Sequence, residues 1–538
     1  MKNIVIVLIL IFISCEEPKE KADLIVINAN IYTVDQEFSK ATALAVRDGR
    51  FLAIEEDSLL LATYDADLVI DVEGKAIVPG LIDAHCHFYE LGLTEQLVDL
   101  NGTKSFEEIL NRIKYFTEKN RSIVIRGRGW DQNDWEIKEF PTRKQLDSLF
   151  PDTPVVLERV DGHAFLVNGK MLEMAGIDGD TEVSGGEIIK ESGIPTGLLV
   201  DSPMGMVTNA LPKPDLPTRI QALKDAERIC FNNGLTTVND AGLPWEIITL
   251  IDSLQRAGEL SIRVYGMVSG NLDNLNYLSR GPVKTDRLHV RSVKVYADGA
   301  LGSRGAALKR EYTDLAGHYG AMVTPVSDIE AMAMRIRDSE FQMNTHAIGD
   351  SANAVVLRAY KKALKGTDDR RWKIEHAQVI DPADFNSFED GIIPSIQPTH
   401  ATSDMYWAED RLGSERIKGA YAFKTLLDRA GIVALGTDFP VEKVNPFHTF
   451  YAAVARKDLN QYPEGGYRTD EALSREEALK GMTIWAAYSN FEEKEKGSIE
   501  VGKWADFVVL NKDLMTIPEK DILELQAEQV YLGGQIAD

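Results

Sequence analysis

The chain has 538 residues, of which 44% are hydrophobic and 27% are charged. This length and this composition favour a globular protein of enzyme size with a large core, and they exclude a disordered chain. The formal charge of −25 comes without a basic stripe of useful length, which argues against nucleic acid as a partner.

The N-terminus has the pattern of an export signal. Lys2 precedes an apolar run at 4–13, which is too short to span a bilayer. A serine and then Cys15 follow this run, which favours a bacterial lipoprotein signal with Cys15 as the lipidated first residue. We then expect 1–14 to be removed and 15–22 to tether an exported protein to a membrane, in the periplasm or at the cell surface. The alternative is an ordinary cleaved signal with an incidental cysteine.

Short β-rich runs separated by turn residues open the body of the chain, and similar runs close it. They lie at 23–34, 43–46, 51–54, 497–510 and 529–532. A domain that is interrupted by a long insertion keeps its two ends together. We therefore expect 23–79 and 491–538 to build one small composite β-sandwich domain.

Eight apolar runs between these ends have the character of buried parallel strands, with helical stretches between them. The runs lie at 81–87, 235–240, 263–268, 292–298, 342–346, 373–376, 393–397 and 432–438. They predict an α/β fold, a (β/α)8 TIM-type barrel over 80–490, whose active site lies at the C-terminal ends of the strands. Because 89–217 is too long for one connection, we expect an inserted subdomain after the first barrel strand.

Four segments place metal-ligand side chains at predicted strand ends. They are DAHCH at 83–87, THAIGD at 345–350, IEHAQ at 374–378 and GTDFP at 436–440. His85 and His87 are alternate residues of one strand, so their imidazoles point the same way and can reach one cation. The ends of barrel strands meet at one face, so we expect three further ligands to join them there: His346, His376 and Asp438.

The chemistry of such a site follows from its donors. Neutral imidazoles with a carboxylate suit zinc or a similar divalent ion, of which we expect one or two. Such an ion activates water at neutral pH and stabilises the negative charge that develops on a carbonyl oxygen. We assign Asp438 two roles: it ligates the metal, and it carries a proton from the metal-bound water, the nucleophile, to the leaving nitrogen.

Longer motifs carry a family resemblance. KAIVPGLIDAHCHF at 75–88, with THAIGD, IEHAQ and GTDFPV, resembles the amidohydrolase superfamily. KVYADGALGSRGA at 294–306 and RVDGHAFLVN at 159–168 are similar to amidohydrolase family 3, in the branch of the N-substituted formamide deformylases. The likeness spans 22–514 and implies a metal-dependent hydrolase barrel.

The resemblance also implies a role for Lys294 as a metal ligand. In the family, a lysine carboxylated by carbon dioxide becomes a carboxylate that bridges two metals. The alternation of Ser292, Lys294 and Tyr296 places the Lys294 side chain on the inner face of its strand. The alternative is an unmodified lysine paired with Asp298 or Asp438.

A second set of residues is predicted to contact the substrate. His163 in RVDGHAF and His400 in IQPTHATSDMYW offer imidazoles to a developing oxyanion, and Trp130 offers an apolar wall. Asp298 in DGALGSRG is a further candidate. The alternative for the first three is packing within a loop, and for Asp298 it is an ion pair with Arg304.

These observations predict a metal-dependent hydrolase of a carbon–nitrogen bond, other than a peptide bond, in an amide, N-acyl or formamide-like small molecule. A deaminase or esterase with one metal is the alternative within the superfamily. An exported small-molecule-binding lipoprotein with an inactive site is the alternative of a different class, and the intact ligand set argues against it. The fold hosts many such reactions, so the substrate stays open, as does the oligomeric state, with which a homodimer is compatible.

Overall fold

The computed structural model describes most of the chain. The described residues are 19–119, 123–132, 135–159, 164–183, 186–302, 304–367 and 369–537. The chain divides into two compact units, the barrel unit of Met1–His87 with Arg228–Asp538 and the inserted unit of Phe88–Glu227. The predicted signal peptide and Cys15 lie outside the described residues. None of the helices in the described ranges combines the length and the apolar character that a membrane span requires.

The barrel unit begins with short strands and one helix. These are β1 Glu20–Ile27, β2 Asn30–Tyr32, β3 Lys40–Ala41, β4 Ala43–Arg47, β5 Arg50–Glu55, α1 Asp57–Thr63, β6 Tyr64–Asp71, β7 Ala76–Pro79 and β8 Leu81–Cys86.

The inserted unit has its own sheet and its own core. Its elements are α2 Phe88–Thr94, β9 Val98–Asp99, α3 Phe106–Lys119, β10 Ile125–Trp130, α4 Lys144–Leu149, β11 Val155–Arg159, β12 Ala164–Val167, α5 Gly169–Ala175, β13 Gly186–Glu191, β14 Ile194–Asp201 and α6 Ser202–Ala210. The strand order is β13-β14-β12-β11-β10-β9. The next helix, α7 Leu216–Asn232, runs through the boundary between the two units.

The rest of the barrel unit alternates strands and helices. In chain order they are β15 Leu235–Leu243, α8 Trp245–Arg256, β16 Arg263–Ser269, β17 Val283–Lys284, β18 Leu288–Tyr296, α9 Val326–Arg337, β19 Gln342–Ala347, α10 Asp350–Leu364, β20 Lys373–His376, β21 Ile393–Ile396, α11 Pro398–Asp404, α12 Ala408–Arg416, α13 Phe423–Ala430, β22 Ala434–Leu435, α14 Pro446–Ala455, α15 Arg475–Gly481, α16 Ile484–Ser489, β23 Phe507–Leu510, β24 Ala527–Leu532 and β25 Gln535–Ile536. Short 3-10 helices lie at Leu272–Arg280, Phe385–Asp390, Ile417–Gly419, Thr469–Glu471 and Glu519–Glu524.

Strands from both ends of the chain build a sandwich. One sheet has the order β5-β4-β1-β6, and the other, β25-β24-β23-β7-β2-β3, mixes N-terminal and C-terminal strands. The two sheets share one hydrophobic core, to which Leu24, Phe51, Ile77, Phe507 and Tyr531 contribute. Alternate residues of β1 and β4 enter this core, and the residues between them are buried on the other face of their sheet, in a second core with α1.

The remaining strands form a nearly closed parallel barrel. The order is β22-β21-β20-β19-β18-β16-β15-β8, and each neighbouring pair from β8 to β22 is parallel. Every residue of β8, β20 and β21 is buried, as expected for strands covered on both faces. This confirms the predicted TIM-type barrel with an additional sheet domain.

Several strand boundaries differ from the expected ones, and His87 lies just beyond the end of β8. The strand predicted at 292–298 ends at Tyr296, so Asp298 lies in the loop beyond it. The strand predicted at 432–438 is reduced to β22, and Asp438 has a φ of 64°, which a β-strand does not accommodate. At the N-terminus, β1 begins inside the predicted tether because Glu20, the first residue of β1, pairs with Tyr64 of β6.

A buried carboxylate joins the first and last strands of the barrel. Asp83 in β8 accepts a hydrogen bond from the Thr437 hydroxyl at 2.7 Å and another from the Thr437 N–H at 3.1 Å. Beside them, the Asp438 N–H donates to the His85 carbonyl at 2.8 Å. These hydrogen bonds hold the segment after β22 against the C-terminal end of β8. The backbone pairing of the barrel strands runs from β8 to β22 and does not join these two strands to each other.

Gly436 permits this close approach. A Cβ added to Gly436 would lie 2.5 Å from the His85 nitrogen and 2.8 Å from Asp83 Oδ1. Both contacts are with atoms that cannot retreat, since one is backbone and the other is fixed by Thr437. Only glycine fits at this place.

We expect Gly436→Ala to destabilise the barrel unit by about 1–3 kcal/mol, because the new methyl group must push β22 away from β8. The measurement is the midpoint of thermal unfolding. Gly205→Ala is the matched control, since a Cβ at Gly205 in α6 meets nothing within 4 Å. An unchanged midpoint in Gly436→Ala would show that the two strands separate without cost.

Candidate metal centre

Asp438 lies at the centre of a group of buried side chains. Its Oδ1 is 3.1 Å from His87 Nε2 and 3.5 Å from His85 Nε2. Its Oδ2 is 3.6 Å from His400 Nε2. Two sets of ligand atoms each lie within 4.8 Å of one another, namely His85, His87 and Asp438, and His376, His400 and Asp438. Two groups suited to a metal ion therefore share one carboxylate.

His346 lies beside these two groups. Its ring centroid is 4.5 Å from that of His376, which in turn is 4.9 Å from that of His85. His346 projects from β19, one strand away from His376 at the end of β20. The neighbouring barrel strands thus bring together histidines that the sequence separates.

Hydrogen bonds fix the orientation of two of the rings. His85 Nδ1 lies 2.5 Å from Glu375 Oε2, and His376 Nδ1 lies 2.7 Å from Gln397 Oε1. Both partners are acceptors, so each Nδ1 carries the proton and each Nε2 keeps its lone pair. This is the tautomer in which imidazole Nε2 binds a metal, oriented by an acceptor behind it.

The electrostatics of the cluster favour an ionised Asp438 with neutral His346 and His376. Burial raises the pKa of Asp438, but the contact with His87 and the nearby His85 and His376 outweigh it and lower this pKa well below its ordinary value. Burial lowers the pKa of His87, but Asp438 outweighs it and raises this pKa. Burial lowers the pKa of His376 well below its ordinary value, and it lowers that of His346 to about 3. Neutral imidazole and carboxylate are the forms that ligate metals.

Lys294 reaches the cluster from β18. Its Nζ is 3.2 Å from His85 Nε2, and its side chain is buried. Burial lowers the pKa of the Lys294 amine, and the carboxylates of Glu375 and Asp438 oppose this shift without cancelling it. The buried amine therefore loses its charge more readily than an exposed lysine does.

The residues present fit a divalent ion. Among the described residues, three buried atoms of the cluster have no well-directed hydrogen bond: His346 Nε2, His400 Nε2 and Asp438 Oδ1. Buried polar atoms are normally satisfied, so a ligand at this place accounts for them. Nitrogen and carboxylate donors in this number suit zinc and related ions.

A pocket of about 380 Å³ opens from the cluster. This volume suits a small molecule. Besides the cluster itself, the lining is largely apolar with two acidic side chains; it includes Tyr296, Leu301, Ile348, Trp407, Val441, Asp404 and Glu442.

The structure brings one of the predicted substrate-contacting residues into the cluster. His400 lies on α11, which begins with Pro398, a residue suited to a first helical turn. Its ring stacks on His376 with centroids 5.9 Å apart. His400 is therefore positioned to contact either a metal ion or a substrate.

Asp298 has a different environment from the predicted one. Its carboxylate is buried and accepts hydrogen bonds from the backbone N–H groups of Ala307, Ile348 and Gly349 at 2.8–3.0 Å. These contacts engage both oxygens, so Asp298 shapes the loops after β18 and β19 and does not line the pocket. The ion pair expected with Arg304 is also absent from the described contacts, because Arg304 pairs with Asp314 at 2.7 Å.

The other two predictions fall in the inserted unit. Trp130 is fully buried in the core of that unit, and its indole N–H donates to the Leu157 carbonyl at 2.9 Å. Its ring therefore has a packing role and leaves no surface for a substrate. His163 lies outside the described residues.

Sequence reasoning missed Glu375 and Gln397. Glu375 directly precedes His376 inside the IEHAQ motif, in a strand where every residue is buried. A charged residue in such a strand needs a partner, and this requirement could have identified Glu375 from the sequence. Burial raises the pKa of Glu375, but His85 together with Lys294 lowers it to about 2, so Glu375 is ionised.

We expect Glu375→Gln to weaken zinc binding by about 10–100-fold, because His85 loses the charged acceptor that orients it. The measurement is a chelator competition on the purified protein. Glu389→Gln is the control, since Glu389 pairs with Arg429 at the surface. Equal zinc affinity in both variants would contradict an orienting role for Glu375.

Comparisons with known proteins agree with this geometry. Residues 68–538 match the amidohydrolase family. The chain is 34% identical to Protein LONG AFTER FAR-RED 3 of Arabidopsis thaliana, with 96% of this chain and 91% of that protein covered. It is 28% identical to the N-substituted formamide deformylase of Arthrobacter pascens, with 95% and 97% covered.

A solved structure shows the same architecture. It is that of an uncharacterized metal-dependent hydrolase from Pyrococcus furiosus, with a TM-score of 0.78 and 28% identity over 92% of this chain and 100% of that one. The resemblance drawn from the motifs is thereby confirmed. The chain belongs to the amidohydrolase family and has the fold of a metal-dependent hydrolase.

Proposed function

We propose that this protein hydrolyses a carbon–nitrogen bond in a small amide-like molecule with the help of one or two divalent ions, zinc foremost. The observation that carries the proposal is the pair of three-residue ligand groups that share Asp438. The relative named N-substituted formamide deformylase, which is matched along nearly the whole chain, supports an amide as the substrate class.

The residues of the cluster divide the chemistry among them. A divalent ion held by them supplies a Lewis acid for the carbonyl oxygen and lowers the pKa of water. Asp438, ionised and within 4 Å of three imidazoles, accepts the proton of the attacking water and delivers it to the leaving nitrogen. His400 lines the same pocket, and in a site where it does not ligate an ion its Nε2 can carry a proton and donate to the developing oxyanion.

Lys294 is the proposed bridge between two ions. Its uncharged amine adds to carbon dioxide, forming an N–C bond and releasing one proton, which leaves a carbamate with one negative charge. The burial of Lys294, which lowers the pKa of its amine, and its contact with His85 support this assignment. In the unmodified state the nearby ionised Glu375 is the charge partner that the structure offers to an ammonium.

We expect the wild-type protein to bind about two zinc ions per chain and Lys294→Ala to bind about one, because the bridging carboxylate is lost. The measurement is elemental analysis after dialysis against zinc. Lys294→Glu is the matched control that restores a carboxylate and is expected to recover part of the second ion. Two ions in Lys294→Ala would show that Lys294 is not a ligand.

We expect Asp438→Asn to lower kcat by about 10²–10⁴-fold at saturating zinc, because the amide cannot shuttle the proton. The measurement is turnover of a panel of formamides, N-acyl amines, esters and amino-substituted heterocycles. Asp410→Asn, an exposed change on α12, is the control.

The panel also separates the alternatives. Turnover limited to esters or to amino-substituted heterocycles would replace the amide proposal by an esterase or a deaminase. Absence of turnover with every compound by zinc-loaded wild-type protein would favour a binding protein.

A further inference from the structure

One wall of the pocket is acidic. Asp404, at the end of α11, and Glu442 both line it. Asp404 Oδ2 accepts hydrogen bonds from the Tyr421 hydroxyl at 2.7 Å and from Gln378 Nε2 at 3.4 Å, whereas Oδ1 receives none within the described part of the chain. Glu442 Oε1 accepts a hydrogen bond from the Ser403 hydroxyl at 2.6 Å. Each carboxylate thus keeps one oxygen for a further donor.

The charge of this wall is not balanced by the described residues that line the pocket. Among them Lys294 is the sole lysine or arginine, and it belongs to the metal cluster. Arg411 lies 5.6 Å from the Trp407 ring but forms an ion pair with Asp314. Burial raises the pKa of Asp404 to about 6 although His400 and the Tyr421 hydroxyl oppose this increase, and the negative charge of Glu442 adds to it. A cation in the pocket would relieve the repulsion between the two carboxylates.

The pocket that the acidic wall lines also contains the metal cluster. Asp438 is nine-tenths buried, and its Oδ1 has no well-directed hydrogen bond within the described residues. It lines the same pocket as Asp404 and Glu442. A molecule whose carbonyl group reaches the metal cluster therefore has its other end within the pocket that the acidic wall encloses.

The same pocket has apolar lining residues. They include Leu301, Ile348 and Trp407. A Cβ at Gly302 would lie 3.3 Å from the Trp407 ring, so the ring packs directly on this glycine. An aromatic or aliphatic segment of a substrate fits against such a surface, and the Trp407 ring face also attracts cations.

We propose that Asp404 and Glu442 select amides that carry a protonated amine, with Trp407 against the apolar segment between that amine and the scissile bond. The proposal rests on the amide hydrolysis proposed above and names its substrate class. A substrate with a carboxylate in place of the amine meets two negative charges and is disfavoured.

The test uses formamides of three benzylamines with the same shape and different charge. The para substituent is aminomethyl, methyl or carboxyl, and kcat/KM is measured with the zinc-loaded full chain. We expect the cationic compound to exceed the neutral one by about 10-fold and the anionic compound to be the poorest. Binding of the three corresponding benzylamine products by calorimetry, which needs no turnover, is expected to follow the same order.

Asp404→Asn is expected to lower the ratio of cationic to neutral kcat/KM without bringing it to one, because Glu442 remains. Asp410→Asn is the matched control and is expected to keep the wild-type ratio. Equal or better use of the anionic compound, or an unchanged ratio in Asp404→Asn, overturns the proposal. If no formamide is turned over, the proposed hydrolysis fails, and the order of amine binding still decides the acidic selection.

Discussion

The closure of the barrel at one seam is the constraint on which the site depends. His85 and His87 stand at one end of the strand order and Asp438 at the other. Asp83 and its partner Thr437 are 354 positions apart in the sequence. Neither end binds a metal alone, because two imidazoles leave a divalent ion short of ligands. The Asp83 hydrogen bonds join the ends, and the absence of a side chain at 436 lets them meet.

Charges buried at this seam must compensate one another. An isolated buried charge is costly, whereas one that is paired and hydrogen-bonded is tolerated. Glu375 is fully buried and lies among His85, Lys294 and Lys373, which together keep it ionised. Lys373 in turn donates to Asn490 Oδ1 at 2.7 Å. The cluster is therefore a network in which the removal of one member leaves another without its partner.

Most of the candidate ligands differ in their support from the other residues that line the pocket. His85, Lys294, His346 and His376 project from strands, where the backbone is held by ladders on both sides. By contrast, Asp404, Trp407 and Glu442 follow β21 and β22 on helices and loops. Side chains on the helices and loops can change without disturbing the side chains on the strands. This is how one barrel fold serves several substrates.

The sequence by itself determined the barrel and the composite sandwich, and it predicted most of the side chains that gather at the candidate metal centre. Eight apolar runs and histidines at strand ends are local patterns, and parallel strands in a barrel direct their C-terminal ends to one face. Only the tertiary structure decided which second group completes each interaction. It paired His85 with Glu375, His376 with Gln397 and Asp298 with backbone amides, and it buried Trp130 within another core. Such partners come from distant strands and loops, so their identity depends on register and burial, which a linear pattern does not record.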